Sequence, residues 1–376
     1  MNDTPPLRLE EVAADRDNNF NLIRFLAASL VIVSHSYPLA WERQPEIVSR
    51  LLITVTGGDL AVSAFFVVSG FLVSQSFANR GSVRVFLLAR ALRIYPALIV
   101  AAAFATLLGG AFSTLPWREF LAHPQTHSFF LTNATAWVVQ YPLPGVFGDH
   151  PHPGAVNGSL WTLPIELRMY LCCALVGALG ILANRVVFSL AFFASVLLFS
   201  ALPEAYPLWP NDAASRKLAL CFALGVLFHL NRRFVVLRLR WAALMVGVAA
   251  FTWQSEVMQV AKYFLLAYLL LVAAYHPRLR FAAFNRLGDY SYGLYIYAFP
   301  VQQAIVALVP GVGPGQLMML AFPLVLVLAL LSWHLLEKPA LGLKSAPWMQ
   351  SSERLPESSA RVAGLPENTR DARRAE

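Results

Sequence analysis

Apolar residues along this chain come in blocks of fifteen to twenty-odd positions, broken by short polar connections that often carry arginine. An α-helix needs about 20 predominantly apolar residues to cross a hydrocarbon core, whereas an amphipathic helix of a soluble protein turns a polar face outward every three or four residues. The block pattern is of the first kind. Ten runs are read, near residues 20–40, 58–77, 94–112, 159–182, 186–202, 216–231, 240–254, 259–275, 290–309 and 317–336. They predict an all-α, polytopic membrane helix bundle with about ten transmembrane helices, occupying residues 20–341.

An even number of crossings leaves both termini on one side, and the basic residues choose that side. With a cytoplasmic N-terminus, the inner loops carry Arg80, Arg84, Arg90, Arg93, Arg185, the stretch "RRFVVLRLR" at 232–240, Arg278, Arg280 and Arg286. The outer loops carry chiefly Arg43, Arg50, Arg118, Arg216 and Lys217. Residues 1–19 are polar and mixed in charge, unlike a secretory peptide, and read as a cytoplasmic N-terminal segment. Residues 113–158, rich in Pro, Gly and His, read as a long outer loop and a binding surface. Residues 342–376 read as a disordered cytoplasmic tail. No internal repeat is evident.

Composition agrees with this reading. Of 376 residues, 57% are hydrophobic and 13% charged, about half the charged content of an average soluble domain. The net charge of +8 does not indicate nucleic acid, because the basic residues lie between apolar runs rather than on a hydrophilic module. Cys172, Cys173 and Cys221 lie inside apolar runs with no metal-ligand or disulfide spacing. His123, His127, His150 and His152 have no strong metal spacing either and read as part of a solvated Pro-rich loop, so no metal is expected.

The stretch "RFLAASLVIVSHS" at 24–36 sets Arg24 and His35 in an otherwise apolar run. Eleven residues are about three helical turns and about 16 Å of rise, so both side chains share one stripe at two depths. Each alone has a plain reading, a snorkelling arginine and a packed histidine. Together they suit chemistry, because a histidine can take and return a hydroxyl proton while arginine offers a permanent charge to carbonyl or phosphate oxygens. Glu166, in "NGSLWTLPIELRMYL" at 157–171, lies about 10 Å from the outer end of its run, at a depth comparable with His35. It is a candidate to orient the imidazole, with pairing to Arg168 or to backbone as the structural alternative. Arg90 and Arg93, in "FLLARALRIYPAL", share a helical face and suit either a polyanion or the topology rule. Ser69 and Gly70 read as helix packing, Asp59 as a helix cap, and Glu337 as the partner of an inner-loop arginine.

The segments "RFLAASLVIVSHS", "FFVVSGFLVS" (65–74), "RALRIYPAL" (90–98), "SLWTLPIELRMYL" (159–171), "YSYGLYIYAFPV" (290–301) and "SWHLLEKPAL" (332–341) occur in the order seen in acyltransferase family 3, and the chain resembles that family over residues 18–341. The resemblance implies about ten transmembrane helices and transfer of an acyl group, commonly acetyl from acetyl-CoA, onto hydroxyls of carbohydrates, often envelope glycans. It implies His35 as the essential histidine, Arg24 as its paired arginine, Arg90 and Arg93 as the twin arginines, and Glu166 as the acidic residue after Ser-Leu-Trp. Two departures stand out. Ala298 occupies a position where the family often has histidine, and "TLPIELRMY" brings Pro164 and Arg168 beside Glu166. The resemblance leads to these expectations: an acyl-CoA donor at Arg24, Arg90 and Arg93, a carbohydrate acceptor beneath the outer loop, His35 as general base, and a place in a bacterial inner membrane. The competing class is a proton-coupled transporter or flippase with Arg24, His35 and Glu166 as a relay, against which stands the absence of matched Gly/Pro-broken spans.

Overall fold

Helices follow the apolar runs closely in the computed structural model of the chain, which describes residues 7–42, 44–52, 55–80, 82–201, 212–252 and 259–345. A single turn, α1 (Leu9–Val12), precedes α2 (Phe20–Leu39); α3 (Ile47–Leu52) is short and leads to α4 (Gly57–Arg80) and α5 (Val83–Ala111). Two further short helices, α6 (Trp117–Ala122) and α7 (Pro124–Thr135), lie in the long connection that ends in a 3-10 turn, Gly158–Thr162, at the head of α8 (Leu163–Ala178). Then come α9 (Arg185–Ala201), α10 (Ala213–Leu230), α11 (Leu239–Thr252), α12 (Gln259–Tyr275), α13 (Ser291–Leu308) and α14 (Pro314–Ser332), the last running through a π-turn into α15 (Lys338–Gly342).

Each of the ten expected runs coincides with a helix wherever its residues are described. Among the described residues, six segments are long and apolar enough to cross a membrane by themselves: α2, α4, α5, Gly158–Ala178, α10 and Pro314–Gly342. The apolar stretches of α9 and α12 are shorter, Arg185–Leu198 and Ala261–Tyr275. Helix α13 is a different case, since Tyr292, Tyr295, Tyr297, Gln302 and Gln303 dilute its apolar character. Its residues from Ser291 to Val306 are all buried. A helix buried on every side sits inside a bundle, and α13 is wrapped by α2, α5, α14 and the Gly158–Thr162 turn.

Helices α4 and α10 approach until their backbones touch. A Cβ at Gly70 would strike the Phe222 carbonyl, and one at Gly225 the Val67 carbonyl. Gly70 is therefore a packing residue, as its small-residue setting implies.

The two ends of the bundle differ. At one, β1 (Leu7–Arg8) pairs antiparallel with β2 (Val236–Leu237) in a small two-stranded ribbon. Asn19 binds the Ala273 and Leu279 carbonyls, and Arg280 pairs with Asp15 and Asp17. The N-terminal segment and the basic 232–240 and 276–289 connections thus gather at one basic end. At the other end the 113–158 connection, expected as a loop, is a folded cap. Its α6 and α7 close over a small core of Phe120, Phe129, Leu143, Val146, Phe147 and Val156. The expected tail 342–376 lies outside the described residues from 346 onward, as do residues 1–6 and Arg43; residues 342–345 continue the helical end of the chain.

Candidate active site

Two cavities enter the bundle from opposite ends. The one at the basic end has a volume of about 430 Å³ and is lined by Arg24, Arg90, Arg93, Glu166, Asp289 and Lys344, among others. Helix α2 brings Arg24 one turn in from its start, and α5 brings Arg90 and Arg93 on one face, so the three arginines singled out by sequence converge here, with Glu166 and Ser69 in the same lining.

Their partners were not foreseen. Asp289, just ahead of α13, accepts hydrogen bonds from both Arg24 and Arg93, the latter at 2.6 Å. Ser291 Oγ donates to its other oxygen at 2.5 Å. Arg93 also pairs with Glu337 at 3.3 Å, and Ser332 Oγ donates to Glu337 at 3.0 Å. Glu337 is thus half of an ion pair as expected, with Arg93, one of the arginines assigned to an inner loop, which the structure places within α5. Two guanidiniums and two carboxylates offset one another in this buried group. Arg90 is differently placed: its guanidinium donates to Ser76 Oγ at 3.4 Å and lies against the Phe86 and Tyr170 rings, and its buried Nε has no partner among the described residues. Lys344, in the 3-10 turn that follows α15, is pushed down to about 7 from the ordinary lysine range by burial and by the neighbouring Arg90, Arg93 and Arg80.

Glu166 belongs to this cavity and not to His35. It accepts from the Tyr170 hydroxyl, one turn on in α8, and from Ser69 Oγ at 3.5 Å. The expected Glu166 to His35 bond is therefore not made. The physical reason is local: the segment enters as a 3-10 turn, which rises about 2.0 Å per residue against about 1.5 Å for an α-helix, so Glu166 sits deeper than simple helical counting puts it. The Arg168 alternative fails too, since that guanidinium lies over the Trp137 ring.

His35 opens onto the second cavity, about 540 Å³, with Tyr141, His152 and Phe299. Its ring meets the Phe299 ring edge-on at 5.3 Å, and its Nδ1 is buried with no hydrogen-bond partner among the described residues. His152 packs on the same Phe299 at 5.9 Å. Gln303 of α13 holds this part of the cap: its Nε2 donates to the His152 and Ala155 carbonyls at 3.0 and 2.8 Å, which leaves its Oε1 to accept from His150 Nδ1 at 2.8 Å. Two of the histidines expected in a solvated loop are thus tied into the site. No three His, Cys, Asp or Glu side chains converge as a metal site among the described residues. Asp59 does not cap α4; it pairs with Lys217 at 2.5 Å, while Thr56 Oγ1 and Glu46 accept the first backbone N–H groups.

No residue lines both cavities, yet they come within one turn of each other. Thr162 and Tyr295 line the first, Gly158 and Phe299 the second. Four residues separate the members of each pair along the 3-10 turn and along α13, about 6 Å of rise in the helix.

Comparison with known proteins gives a consistent result. A family model described as an acyltransferase domain matches residues 17–337. The chain is similar to an "O-acetyl transferase" of Shigella phage Sf6, 31% identical over 351 residues that cover 88% of this chain and 98% of that protein. It is also similar to "Nodulation protein 10" of Rhizobium leguminosarum bv. viciae, 29% identical over 369 residues that cover 89% of this chain and 96% of that protein. No solved structure matches the chain.

Proposed function

Because the chain belongs to acyltransferase family 3 and is an enzyme that transfers acyl groups, we propose that it moves an acyl group, acetyl from acetyl-CoA, onto a hydroxyl of an envelope or exported carbohydrate. The observation that carries the reading is the pair of cavities, one lined by cations and one by His35, whose linings lie about one helical turn apart along α13.

The residues of the first cavity suit an acyl-CoA. With Arg24 and Arg93 offset by Asp289 and Glu337, Arg90 and Lys344 are the cations left without a carboxylate partner among the described residues. The orphaned Arg90 Nε and the Lys344 ammonium are donors for phosphate oxygens, and charge-assisted bonds of this kind are the strong ones. Arg24 and Arg93, held by Asp289, shape the wall along which a pantetheine arm runs. Glu166 offers an acceptor to amide N–H groups on the same wall. The donor itself supplies a thioester carbonyl activated toward attack.

On the other side, His35 acts as general base. Its Nδ1, buried and without a hydrogen-bond partner among the described residues, takes the proton of a hydroxyl that enters beneath the cap, and a base so placed contributes typically about 10²- to 10⁴-fold. A relay of Arg24, His35 and Glu166 through a transporter is less well supported, because His35 opens onto a cavity that the other two do not line. In this reading α9, α11, α12 and α13 complete ten crossings, with the basic end and both termini in the cytoplasm of a bacterium and the cap outside its inner membrane. Mass spectrometry of envelope glycans from strains with and without the gene tests the reading. The expected result is loss of one O-acyl modification, and identical glycans in the two strains would overturn it.

A further inference from the structure

Acyl transfer from a thioester passes through a tetrahedral state whose charge gathers on the former carbonyl oxygen, and a buried site needs a hydrogen-bond donor fixed at that oxygen. The roles assigned so far leave this place empty. His35 handles the hydroxyl proton, and the guanidiniums of Arg24 and Arg93 are engaged by carboxylates.

The seam between the cavities holds a donor. Thr162 ends the 3-10 turn and Tyr295 lies one turn into α13; their hydroxyl oxygens are 2.7 Å apart. Both residues are buried, at 4% and 7% exposure, and both line the cation-bearing cavity. One turn earlier in the 3-10 turn and one turn later in α13, Gly158 and Phe299 line the His35 cavity. The seam is tightly built: Asn157 Nδ2 donates to the Ile296 carbonyl at 2.9 Å, and a Cβ at Gly158 would press into the Phe299 ring. Thr162 and Tyr295 thus line one cavity, and His35, beside Phe299, lines the other.

Counting protons sharpens the point. Each hydroxyl carries one O–H, and the bond between them uses one. The second O–H has no acceptor among the described residues, and a buried donor left unmade is costly. If Thr162 donates to Tyr295, the phenol O–H is the one left free.

We propose that the Tyr295 hydroxyl, positioned by Thr162, donates to the acyl carbonyl oxygen in the transition state, which makes Tyr295 a catalytic residue and Thr162 its positioning residue. The inference rests on the acyl-transfer reading above. The acceptor oxygen forms its bond to the carbonyl carbon as its proton passes to His35, and the carbonyl electron pair moves onto the oxygen that faces Tyr295. When the pair returns, the carbon–sulfur bond breaks and the thiolate takes the proton from His35.

Tyr295→Phe keeps the ring that packs edge-on against Phe65 at 6.0 Å and deletes only the hydroxyl. In full-length protein assayed with acetyl-CoA and an envelope glycan acceptor, kcat should fall about 10²- to 10³-fold with KM for acetyl-CoA and the unfolding temperature unchanged. Thr162→Val should lower kcat about tenfold, and Thr162→Ser should restore it. A Tyr295→Phe enzyme within about threefold of the parent kcat, or one changed in KM alone, overturns the assignment. Should that variant not fold, the Thr162→Val and Thr162→Ser pair decides by the same kcat comparison. The parent and His35→Ala proteins, assayed alongside, separate the two levels: if the parent transfers no acyl group the acyl-transfer reading itself fails, and if the parent is active and His35→Ala inactive while Tyr295→Phe keeps its activity, only this inference does.

Discussion

At the residue scale the arginines divide by their partners. Arg93 stands between two buried carboxylates, so Arg93→Ala leaves Asp289 and Glu337 unpaired, a change that costs about 3–5 kcal/mol when one member of a buried pair is lost. The expected result is a clear drop in unfolding temperature in detergent. Arg90 has no carboxylate partner among the described residues, and Arg90→Ala should weaken acetyl-CoA binding while the unfolding temperature stays near the parent value, as calorimetry can read. Lys344 adds a pH signature. With its ammonium pushed down to about 7, it is charged below that pH in free and donor-bound protein alike. Above it, the free protein has lost a proton that binding an anion must restore, so affinity for acetyl-CoA should fall as pH rises from 7. Lys344→Arg should flatten that dependence, and an unchanged slope would remove Lys344 from the site. Arg24, Arg90 and Arg93 were legible in the sequence because charge is rare in apolar runs. Asp289 was not: it sits in a short loop, and nothing in periodicity names the arginines that two other helices bring to it.

At the element scale, crossing length made the helices legible, since a long apolar block has few folded outcomes in lipid. The number able to cross unaided was not, because the described apolar stretches of α9, α11 and α12 are short and the buried α13 substitutes tyrosine and glutamine for aliphatic residues where it faces protein on every side. The cap was hidden for a related reason, as a core built from Phe120, Phe129 and Phe147 across a long connection leaves no periodic trace. Glu166 was placed in the right helix but against the wrong partner, and the 3-10 entry turn accounts for the difference in depth. The α4 and α10 contact gives an element-level prediction. Because the atom facing Gly70 belongs to the Phe222 backbone, it cannot swing aside, and Gly70→Ala should force the two helices apart. Size-exclusion profiles should show reduced monodisperse protein, whereas Gly247→Ala, with open space around it, should behave as the parent.

At the scale of the whole molecule, the account requires that the two cavities face opposite sides of a membrane. Reporter fusions should place residues 113–158 outside and residues 232–240 inside; a cytoplasmic signal from the cap would reverse the direction of transfer. It also requires that binding of the donor and chemistry on the acceptor be separable, because the residues proposed for each line different cavities. The most direct test is a paired measurement on purified His35→Ala protein, acetyl-CoA affinity by calorimetry and acyl transfer to an envelope glycan by mass spectrometry. The account predicts donor affinity close to the parent with transfer abolished, and full transfer by His35→Ala protein would contradict it.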